Sequence, residues 1–422
     1  MLERLGLNAL SYGPFQAWFG ANFLTNASWF VYSAGFGWLV LGLTGSPAAV
    51  GFAYFISGLP QMFLTLHAGL LTDRFGARRL VAISFAASGS LLFTLGVVAL
   101  VPGTPLWLVI TLAFVAGITQ VLGGPGYISI ANDLVPPGVV SSAVSLTFLG
   151  FNVGRITGGL LGGILVAAFP AGWALIVAAL LQGLPSIVVW RLRTAPVDRH
   201  GASSRAMFRP LLDAAAYGAR SPSLGILLLL AIAPGAVGLS YNYLLPVAAK
   251  EFDIGGEGLG ALLAATGAGG LLAGIAAERF MRSFGHGMMV FVGLATAAGG
   301  MIAFGLAPSP FIAIPAMSLV GGGFLVYGAA SLSLVQALSP ARLRGRLTSL
   351  FQLLYWGLMP IGGLLGGAVA EVTSARFMMG AAGVTILASA ILAVLARREL
   401  IRLRMDRQGV MRGEARPADL AA

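Results

Sequence analysis

The segment Gly158-Gly-Leu-Leu-Gly-Gly163 recurs letter for letter as Gly362-Gly-Leu-Leu-Gly-Gly367, 204 residues further along the chain. A second set of residues recurs with an offset of 205: Gly69, Asp73, Arg74 and Phe75 correspond to Gly274, Glu278, Arg279 and Phe280. Two separate segments with almost the same offset, close to half of the 422 residues, indicate an internal duplication. The chain is therefore predicted to contain two related halves.

The composition places this duplication in a lipid bilayer. Hydrophobic residues make up 58% of the chain and charged residues only 9%, whereas a soluble domain has about 25% charged residues. A helix needs roughly 20 apolar residues to cross about 30 Å of hydrocarbon, and twelve segments meet this requirement. We therefore predict an all-α integral membrane protein with twelve transmembrane helices, at residues 15–43, 47–71, 80–101, 106–134, 142–169, 172–192, 223–250, 258–277, 286–306, 311–339, 347–371 and 375–396.

The basic residues predict the orientation of these spans. Of the 25 Lys and Arg residues, Arg155 lies deep within a span, and Lys250 and Arg376 lie at span ends on one side of the membrane. The remaining 22 lie on the other side. Because Lys and Arg close to span ends are retained in the cytoplasm, both termini are predicted to be cytoplasmic.

Six spans in each half bring each half back to the cytoplasmic side, so the two halves are related by a pseudo-twofold axis along the membrane normal. The predicted organisation is an N-terminal six-helix bundle at residues 1–192, a cytoplasmic linker at 193–221, a C-terminal six-helix bundle at 222–396 and a basic cytoplasmic tail at 397–422. The linker is predicted to form a helix along the inner membrane surface, with an apolar face made by Phe208, Leu211, Leu212 and Ala215.

Several function classes are excluded by residues that the sequence lacks. The chain has no cysteine, and its three histidines, His67, His200 and His286, are far apart, so we expect neither a metal site nor a cofactor. The net charge of +11 is spread over span ends instead of one surface, which argues against nucleic acid as a partner. The one lysine, Lys250, lies in a predicted external turn, which excludes a P-loop for ATP.

The connection between spans 2 and 3 reads Gly69-Leu-Leu-Thr-Asp73-Arg74-Phe-Gly76-Ala-Arg78-Arg79. It resembles the signature loop of the major facilitator superfamily, and it lies where that superfamily has it. Within the superfamily, Leu43-Thr44-Gly45-Ser46-Pro47, Leu134-Val135-Pro136 and Leu343-Arg344-Gly345-Arg346 are similar to the enterobactin-exporter-like branch of bacterial efflux proteins. The resemblance implies a major facilitator fold and a monomeric secondary transporter in the bacterial inner (plasma) membrane.

The resemblance also implies a gate at this loop. In the superfamily the aspartate of the loop accepts hydrogen bonds from amides at the N-terminus of span 11, and Asp73 occupies that position. Arg74, Arg78 and Arg79 can pair with carboxylates or lipid phosphates, although the alternative is that they only set the topology. In the second half Glu278 and Arg279 retain the charges, but the pattern that follows them is degenerate and does not decide whether a second gate exists.

Glycines repeat every four residues on one face of two predicted spans: Gly150, Gly154, Gly158 and Gly162 in span 5, and Gly362 and Gly366 in span 11. This spacing permits close approach of two helix backbones. Exporters of the superfamily are associated with a proline in the glycine-rich part of span 5, where this chain has Gly159. The pattern therefore predicts helix packing and leaves the direction of transport open.

Arg155 is the charged residue that stands out within a span. Arg155 is about 13 residues into span 5 and so lies roughly 20 Å from the cytoplasmic face. Burying a guanidinium at that depth costs at least about 2.5–3.5 kcal/mol unless a polar partner or water binds it. We expect Arg155 and Asn152, one turn away, to form a donor-rich patch for an anionic or carbonyl-rich substrate. The alternative is an arginine satisfied by backbone carbonyl groups.

Other polar and aromatic residues at mid-span depth are predicted to line a substrate cavity, because the superfamily's central pathway draws on their helices: Asn26, Gln120, Tyr327, Tyr355 and Trp356. Each of them could instead serve helix packing. Tyr241 and Tyr243 lie near the outer end of span 7, where they indicate an aromatic belt at the membrane interface.

Proton coupling usually needs a titratable group inside the cavity, but no Asp or Glu is predicted at the middle of a span. Asp133, near the inner end of span 4, is the candidate, and its alternative role is an interfacial cap; Glu371 lies near the outer end of span 11. The leading hypothesis is a proton-coupled secondary exporter of a small amphipathic molecule, such as a drug or a siderophore, that works by alternating access. An importer or uniporter of a small metabolite is the alternative, and a membrane-embedded enzyme is least favoured because no span carries a catalytic cluster.

Overall fold

The computed structural model describes residues 8–192, 209–405 and 411–412. Within these residues twelve helical spans are long and apolar enough to cross a membrane, which confirms the predicted all-α fold. The helices of spans 1 to 6 are Gly13–Thr44, Pro47–Phe75, Ala77–Ala99, Leu106–Asp133, Val140–Ala168 and Ala171–Arg191. Spans 7 to 12 are Pro222–Glu251, Gly255–Phe284, His286–Leu306, Pro310–Leu338, Arg344–Val372 and Ala375–Ala396.

Short elements complete the described chain. They are the 3₁₀ helices Asn8–Ser11, Pro137–Val139 and Arg398–Arg402, the helix Arg209–Arg220, and an antiparallel pair of two-residue strands, β1 (Arg404–Met405) and β2 (Met411–Arg412). The ends of the spans on the side of the arginine-rich connections, which includes the connection between spans 4 and 5, are called the basic ends. The ends joined by the short connections, such as Gly45–Ser46, are called the opposite ends.

The helix Arg209–Arg220 lies in the predicted linker and packs against the first part of span 11. Ala214 on this helix is fully buried, and a Cβ at Gly218 would lie 2.7 Å from Leu228 Cδ1. Of the predicted apolar face, Phe208 and the side chains of Leu211 and Leu212 lie outside the described residues. Its position along the membrane surface stays a prediction.

The connection between spans 1 and 2 shows how the sequence ends one helix and starts the next. Gly45 has a left-handed backbone (φ 66°), and its amide donates to Leu41 O (2.8 Å), which closes span 1. Ser46 then caps span 2 by accepting from Ala49 N (3.1 Å), and Pro47 fills the first helical position, where no amide hydrogen is needed.

Spans 7 and 11 are interrupted by π-helical turns that the sequence pattern did not predict. Each of these spans is an α-helix, a π-helical segment and a second α-helix: Pro222–Leu230, Pro234–Gly238 and Tyr241–Glu251 in span 7, and Arg344–Gln352, Leu353–Gly357 and Met359–Val372 in span 11. Pro234 and Pro360 lack an amide hydrogen, which removes an α-helical hydrogen bond near each interruption. The two segments touch, because a Cβ at Gly235 would overlap Leu354 O.

Glycine permits the helices of the first six spans to meet backbone to backbone. Gly150, Gly154, Gly158 and Gly162 of span 5 all face span 1. A Cβ at Gly158 would overlap Ala27 O and lie 2.8 Å from Ala27 Cα. Spans 3 and 6 meet in the same way, since a Cβ at Gly89 would lie 2.7 Å from Gly183 Cα. Such distances are available only without a side chain.

The chain forms two compact units whose bounds cross the predicted halves. The first unit comprises Met1–Arg205, Ser240–Ala268 and Gly363–Arg376, and the second comprises Ala206–Leu239, Gly269–Gly362 and Phe377–Ala422. Spans 7 and 11 are thus each divided, within a few residues after their π-helical segments. The boundaries drawn from the duplication, at residues 192, 222 and 396, stay a prediction.

Replacing Gly158 by Ala is expected to lower the free energy of unfolding by about 1–3 kcal/mol, because the added methyl group must push spans 1 and 5 apart. The matched control is Gly42→Ala: Gly42 lies in an exposed part of span 1, and a Cβ there would meet nothing within 4 Å. That control should be neutral or slightly stabilising, since Ala favours helix over Gly. Denaturant titration of the purified proteins in detergent measures both; equal stability of the two variants would contradict this packing.

Candidate functional site

Arg155, at mid-span in span 5, is surrounded by residues of spans 1 and 7. Its Nη2 donates to Tyr241 Oη and to Asn242 Oδ1 (3.3 Å). Its Cζ lies 5.3 Å from the ring centroid of Phe30 and 5.8 Å from that of Tyr241. Both distances allow cation–π attraction, which is worth about 0.5–2 kcal/mol per ring. The guanidinium is therefore held by a phenol, an amide and two aromatic faces.

These partners are not the backbone carbonyl groups of the alternative interpretation, and the role of Arg155 in a donor patch for a substrate stays a prediction. Within the described part of the chain, its hydrogen bonds go to side chains and to no backbone carbonyl group. The aromatic-belt interpretation of span 7 was wrong, because Tyr241 is 1% and Tyr243 8% exposed, and both lie inside the protein. Hydropathy sets the depth of a residue in the membrane but not the direction it faces, and for this reason the sequence did not reveal Tyr241 as a partner.

The two candidate asparagines are tied into the helices of the first unit. Asn152 is buried, and its Nδ2 donates to Phe148 O in its own helix (3.0 Å). Asn26 donates from Nδ2 to Asn22 Oδ1 (2.8 Å) and to Tyr127 Oη (3.0 Å). Asn22 and Tyr127 were missed by sequence reasoning, although the four-residue spacing of the asparagines in span 1 was a visible signal.

The aromatic candidates form a separate cluster in the second unit. The ring centroid of Tyr355 lies 5.5 Å from that of Tyr327 and 5.1 Å from that of Trp356. Tyr355 Oη donates to Phe324 O (3.0 Å), and Tyr327 is fully buried, whereas Trp356 is 40% exposed. Tyr355 and Trp356 belong to the π-helical segment of span 11, a kind of turn that often marks functional sites.

Gln120 and Asp133 both lie in span 4 and have fewer hydrogen-bond partners among the described residues than the candidates above. Gln120 is half-buried, and within the described residues no hydrogen bond joins it to another candidate. Asp133 is the last residue of its helix, at the basic end, and is exposed. Its Oδ2 lies 3.5 Å from Ser129 Oγ, one turn earlier.

The signature loop forms the basic end of spans 2 and 3. Gly76 turns the chain between them with φ 86°, a backbone conformation that favours glycine, and the half-buried Gly69 lies in the helix before it. Arg78 Nη1 donates to Leu192 O (2.6 Å) and so holds the C-terminus of span 6, where a cation is favourable. Arg79 is exposed, and Arg74 lies with its Cζ 5.5 Å from the neighbouring Phe75 ring. The side chain of Asp73 lies outside the described residues.

The counterpart of this loop in the second half is solvated and locally paired. Glu278 forms an ion pair with Arg282, one turn along span 8, and both side chains are more than 70% exposed. Arg279 is also exposed. A pair of this kind contributes little to stability, so these contacts neither build nor exclude a second gate.

Glu371 makes a contact at the opposite ends of spans 11 and 2. Its Oε2 accepts from Ser46 Oγ (2.7 Å) and from Ala48 N (3.0 Å). The first amides of a helix lack partners in their own helix and attract negative charge. Glu371 therefore caps span 2 from span 11, and Glu251 caps span 12 in the same way by accepting from Ala375 N (2.6 Å) and Arg376 N (3.2 Å).

The repeated glycine motif brings helices together beside this cap. A Cβ at Gly163 in span 5 would lie 2.6 Å from Gly256 O at the start of span 8. A Cβ at Gly367 in span 11 would lie 2.9 Å from Gly51 Cα at the start of span 2. Gly51 and Gly256 are themselves 205 residues apart, so the two copies of the motif make equivalent contacts.

Solved structures share this architecture. A mutant of the nucleoside transporter NupG aligns with a TM-score of 0.75 and 16% identity, over 92% of this chain and 100% of that one. A bacterial homologue of the human lysosomal transporter Spinster, in an inward-facing and unoccupied conformation, aligns with a TM-score of 0.72 and 16% identity, over 92% and 97%. The fold is that of the major facilitator superfamily.

The sequence profile of the family described as Transmembrane secretion effector matches residues 6–408, so the chain belongs to that family. The enterobactin exporter EntS of Salmonella typhi is 25% identical over 416 residues, and that of Escherichia coli O1:K1 is 24% identical over 412 residues. Each comparison covers 95% of this chain and 96% of the relative. The protein is a secondary transporter and not an enzyme, and its twelve apolar helices and this kinship indicate a multi-pass inner-membrane protein.

Replacing Glu371 by Gln is expected to loosen the opposite ends of spans 2 and 11, because a neutral amide caps a helix less well than a carboxylate. The chain has no cysteine, so Val50→Cys, at a fully buried position next to Gly51, provides a single site for maleimide labelling. Since Glu371 is exposed and water weakens its bonds, labelling should accelerate only roughly threefold to tenfold.

The matched control for this experiment is Glu257→Gln, which removes an exposed carboxylate at the opposite end of span 8. Labelling of Val50→Cys should be unchanged in that background. An unchanged rate with Glu371→Gln as well would show that the Glu371 cap does not hold these helices together.

Proposed function

We propose that the protein exports small amphipathic molecules of a drug-like or siderophore-like kind by alternating access. The observation that carries the proposal is the similarity, over 95% of the chain, to proteins named as enterobactin exporters. Membership of the secretion effector family supports the same direction of transport. With Lys250 as the one lysine, the sequence has no P-loop, so the energy comes from an ion gradient or from the substrate's own gradient.

In this proposal both termini face the cytoplasm, as the 22 basic residues on one side of the predicted topology favour. The basic ends are then cytoplasmic and the opposite ends are external. The Glu371 cap and the contact of Gly51 with Gly367 become an external closure, and the signature loop becomes the cytoplasmic gate. One chain supplies all of these parts, so the protein works as a monomer.

The substrate cavity is assigned to polar and aromatic side chains at mid-span. Spans 1 and 5 contribute Asn26, Asn152 and Arg155, which all belong to the first unit. Gln120 of span 4 belongs to the same unit, and Tyr327, Tyr355 and Trp356 of spans 10 and 11 are proposed as substrate-contacting residues of the second unit. The gate is assigned to Gly69, Asp73, Arg74, Gly76, Arg78 and Arg79, with Glu278 and Arg279 as its counterpart in the second half.

Asp133 is the proposed site of proton coupling. It lies at the basic end of span 4 and is exposed, with a hydroxyl group, Ser129 Oγ, 3.5 Å away. The acidic side chains described elsewhere in the first unit lie at the opposite ends of spans or in the connections there. A carboxylate at the cytoplasmic end can exchange protons with the cytoplasm and change the local charge beside the gate.

Export predicts a direction that can be measured. Energised inverted membrane vesicles from cells that make the protein should accumulate at least one compound from a panel of amphipathic drugs and siderophores, because the cytoplasmic face then points outward. Vesicles from cells without the protein are the control. Accumulation in whole cells, with none in inverted vesicles, would instead identify an importer or uniporter on the same fold.

Replacing Asp133 by Asn should abolish stimulation of transport by a pH gradient, because the amide keeps the shape of the side chain but binds no proton. Transport in proteoliposomes with and without the gradient measures this, with downhill exchange expected to persist. Asp213→Asn, at an exposed position of the linker helix, is the matched control and should retain full stimulation. Retained stimulation in Asp133→Asn would place the coupling residue elsewhere.

A further inference from the structure

Arg155 carries a positive charge, and the side chains that bind it are uncharged. Its hydrogen bonds go to Tyr241 Oη and Asn242 Oδ1, both on uncharged side chains. No ion pair of the described residues includes Arg155. The carboxylates described in the first unit, such as Asp133 and Glu371, lie at span ends, several helical turns from the middle of span 5.

The guanidinium also has unused hydrogen-bond donors. It presents five N–H groups, and both described hydrogen bonds leave from Nη2. Nε is buried and has no hydrogen-bond partner among the described residues. A buried donor without a partner is costly, and a cation without a counter-ion in a membrane span is more so. Arg155 itself is only half-buried, so an incoming group can reach it.

The surroundings of this cation are aromatic. The Phe30 and Tyr241 rings lie against the guanidinium. Phe30 in turn makes edge-to-face contacts with Phe151 (5.8 Å between centroids) and Trp29 (4.8 Å). Phe30 and Tyr241 are each 1% exposed, so the rings of this cluster that a ligand at Arg155 can meet are the half-buried Phe151 and Trp29.

We propose that Arg155 binds the oxygen anion of an amphipathic organic acid, and that the transported substrates are anions of this class. The proposal rests on the transport function proposed above and chooses between the two substrate types that the sequence left open, anionic and carbonyl-rich. A carboxylate or phenolate supplies the missing negative charge and accepts from the unused N–H groups, and the half-buried Phe151 ring, in contact with Phe30, offers an apolar surface to its body. A neutral carbonyl group would leave the charge of Arg155 uncompensated.

Matched acid and amide probes test this inference by equilibrium binding to the purified protein in detergent. The panel is benzoate, 2-naphthoate and 9-anthracenecarboxylate, each compared with its neutral primary amide at pH 7. We expect at least one acid to bind about tenfold or more tightly than its amide, as expected for a charge-assisted pair. If no acid binds more tightly than its amide, including the case in which nothing binds, the inference is wrong.

Variants then assign the preference to Arg155. In Arg155→Gln the acid should lose at least about tenfold in affinity and the amide should be unaffected, whereas Arg155→Lys should retain part of the preference. Arg398→Gln, at an exposed position outside the spans, is the charge-matched control and should bind like the natural protein. An unchanged acid–amide ratio in Arg155→Gln would make Arg155 a structural residue.

The binding result is separable from the direction of transport. The comparison of acid with amide in the natural protein needs no substitution, so a poorly folded variant cannot decide it. A preference for acids together with uptake into whole cells would overturn export and keep the anion site. Export of neutral compounds without any preference for acids would overturn the anion site and keep export.

Discussion

Close contact between helix backbones is the constraint on which the rest of this structure depends. Lipid offers no hydrophobic driving force between helices, so they associate through dense packing, which small residues permit. Gly158 meets span 1, and Gly163 in the same motif meets Gly256 of span 8. The second copy of the motif places Gly367 against Gly51. Any side chain at these positions would separate the helices that carry Arg155 and the Glu371 cap.

The distribution of charge follows from this packing. Glu371 and Glu251 lie at the opposite ends of the spans, where the free amides of a neighbouring helix donate hydrogen bonds to a carboxylate that stays exposed. Arg155 lies at mid-span, away from the helix ends, and contacts a phenol, an amide and an aromatic ring. The first unit therefore has helix-capping carboxylates at the opposite ends of its spans and a cation at mid-span.

The duplication produced equivalent packing but different helices. Spans 1 and 5 are continuous α-helices, whereas their counterparts 7 and 11 each contain a π-helical segment. Pro234 and Pro360 lie near these segments, and at an offset of 204 the first half has Phe30 and Ile156. A proline removes one amide hydrogen from the helix, and the two related halves share a glycine motif although only spans 7 and 11 of these four contain π-helical segments.

The sequence alone determined the number and approximate positions of the spans, the duplication, the signature loop and the isolation of Arg155, through hydropathy and repeated segments. These are properties of residues close in sequence or of simple periodicity. Only the tertiary structure decided that Tyr241 faces Arg155 instead of the membrane interface, and that Glu371 caps span 2. These contacts join residues 86 and more than 300 positions apart, and they depend on the rotation of each helix about its own axis, which uniformly apolar spans do not encode in their hydropathy.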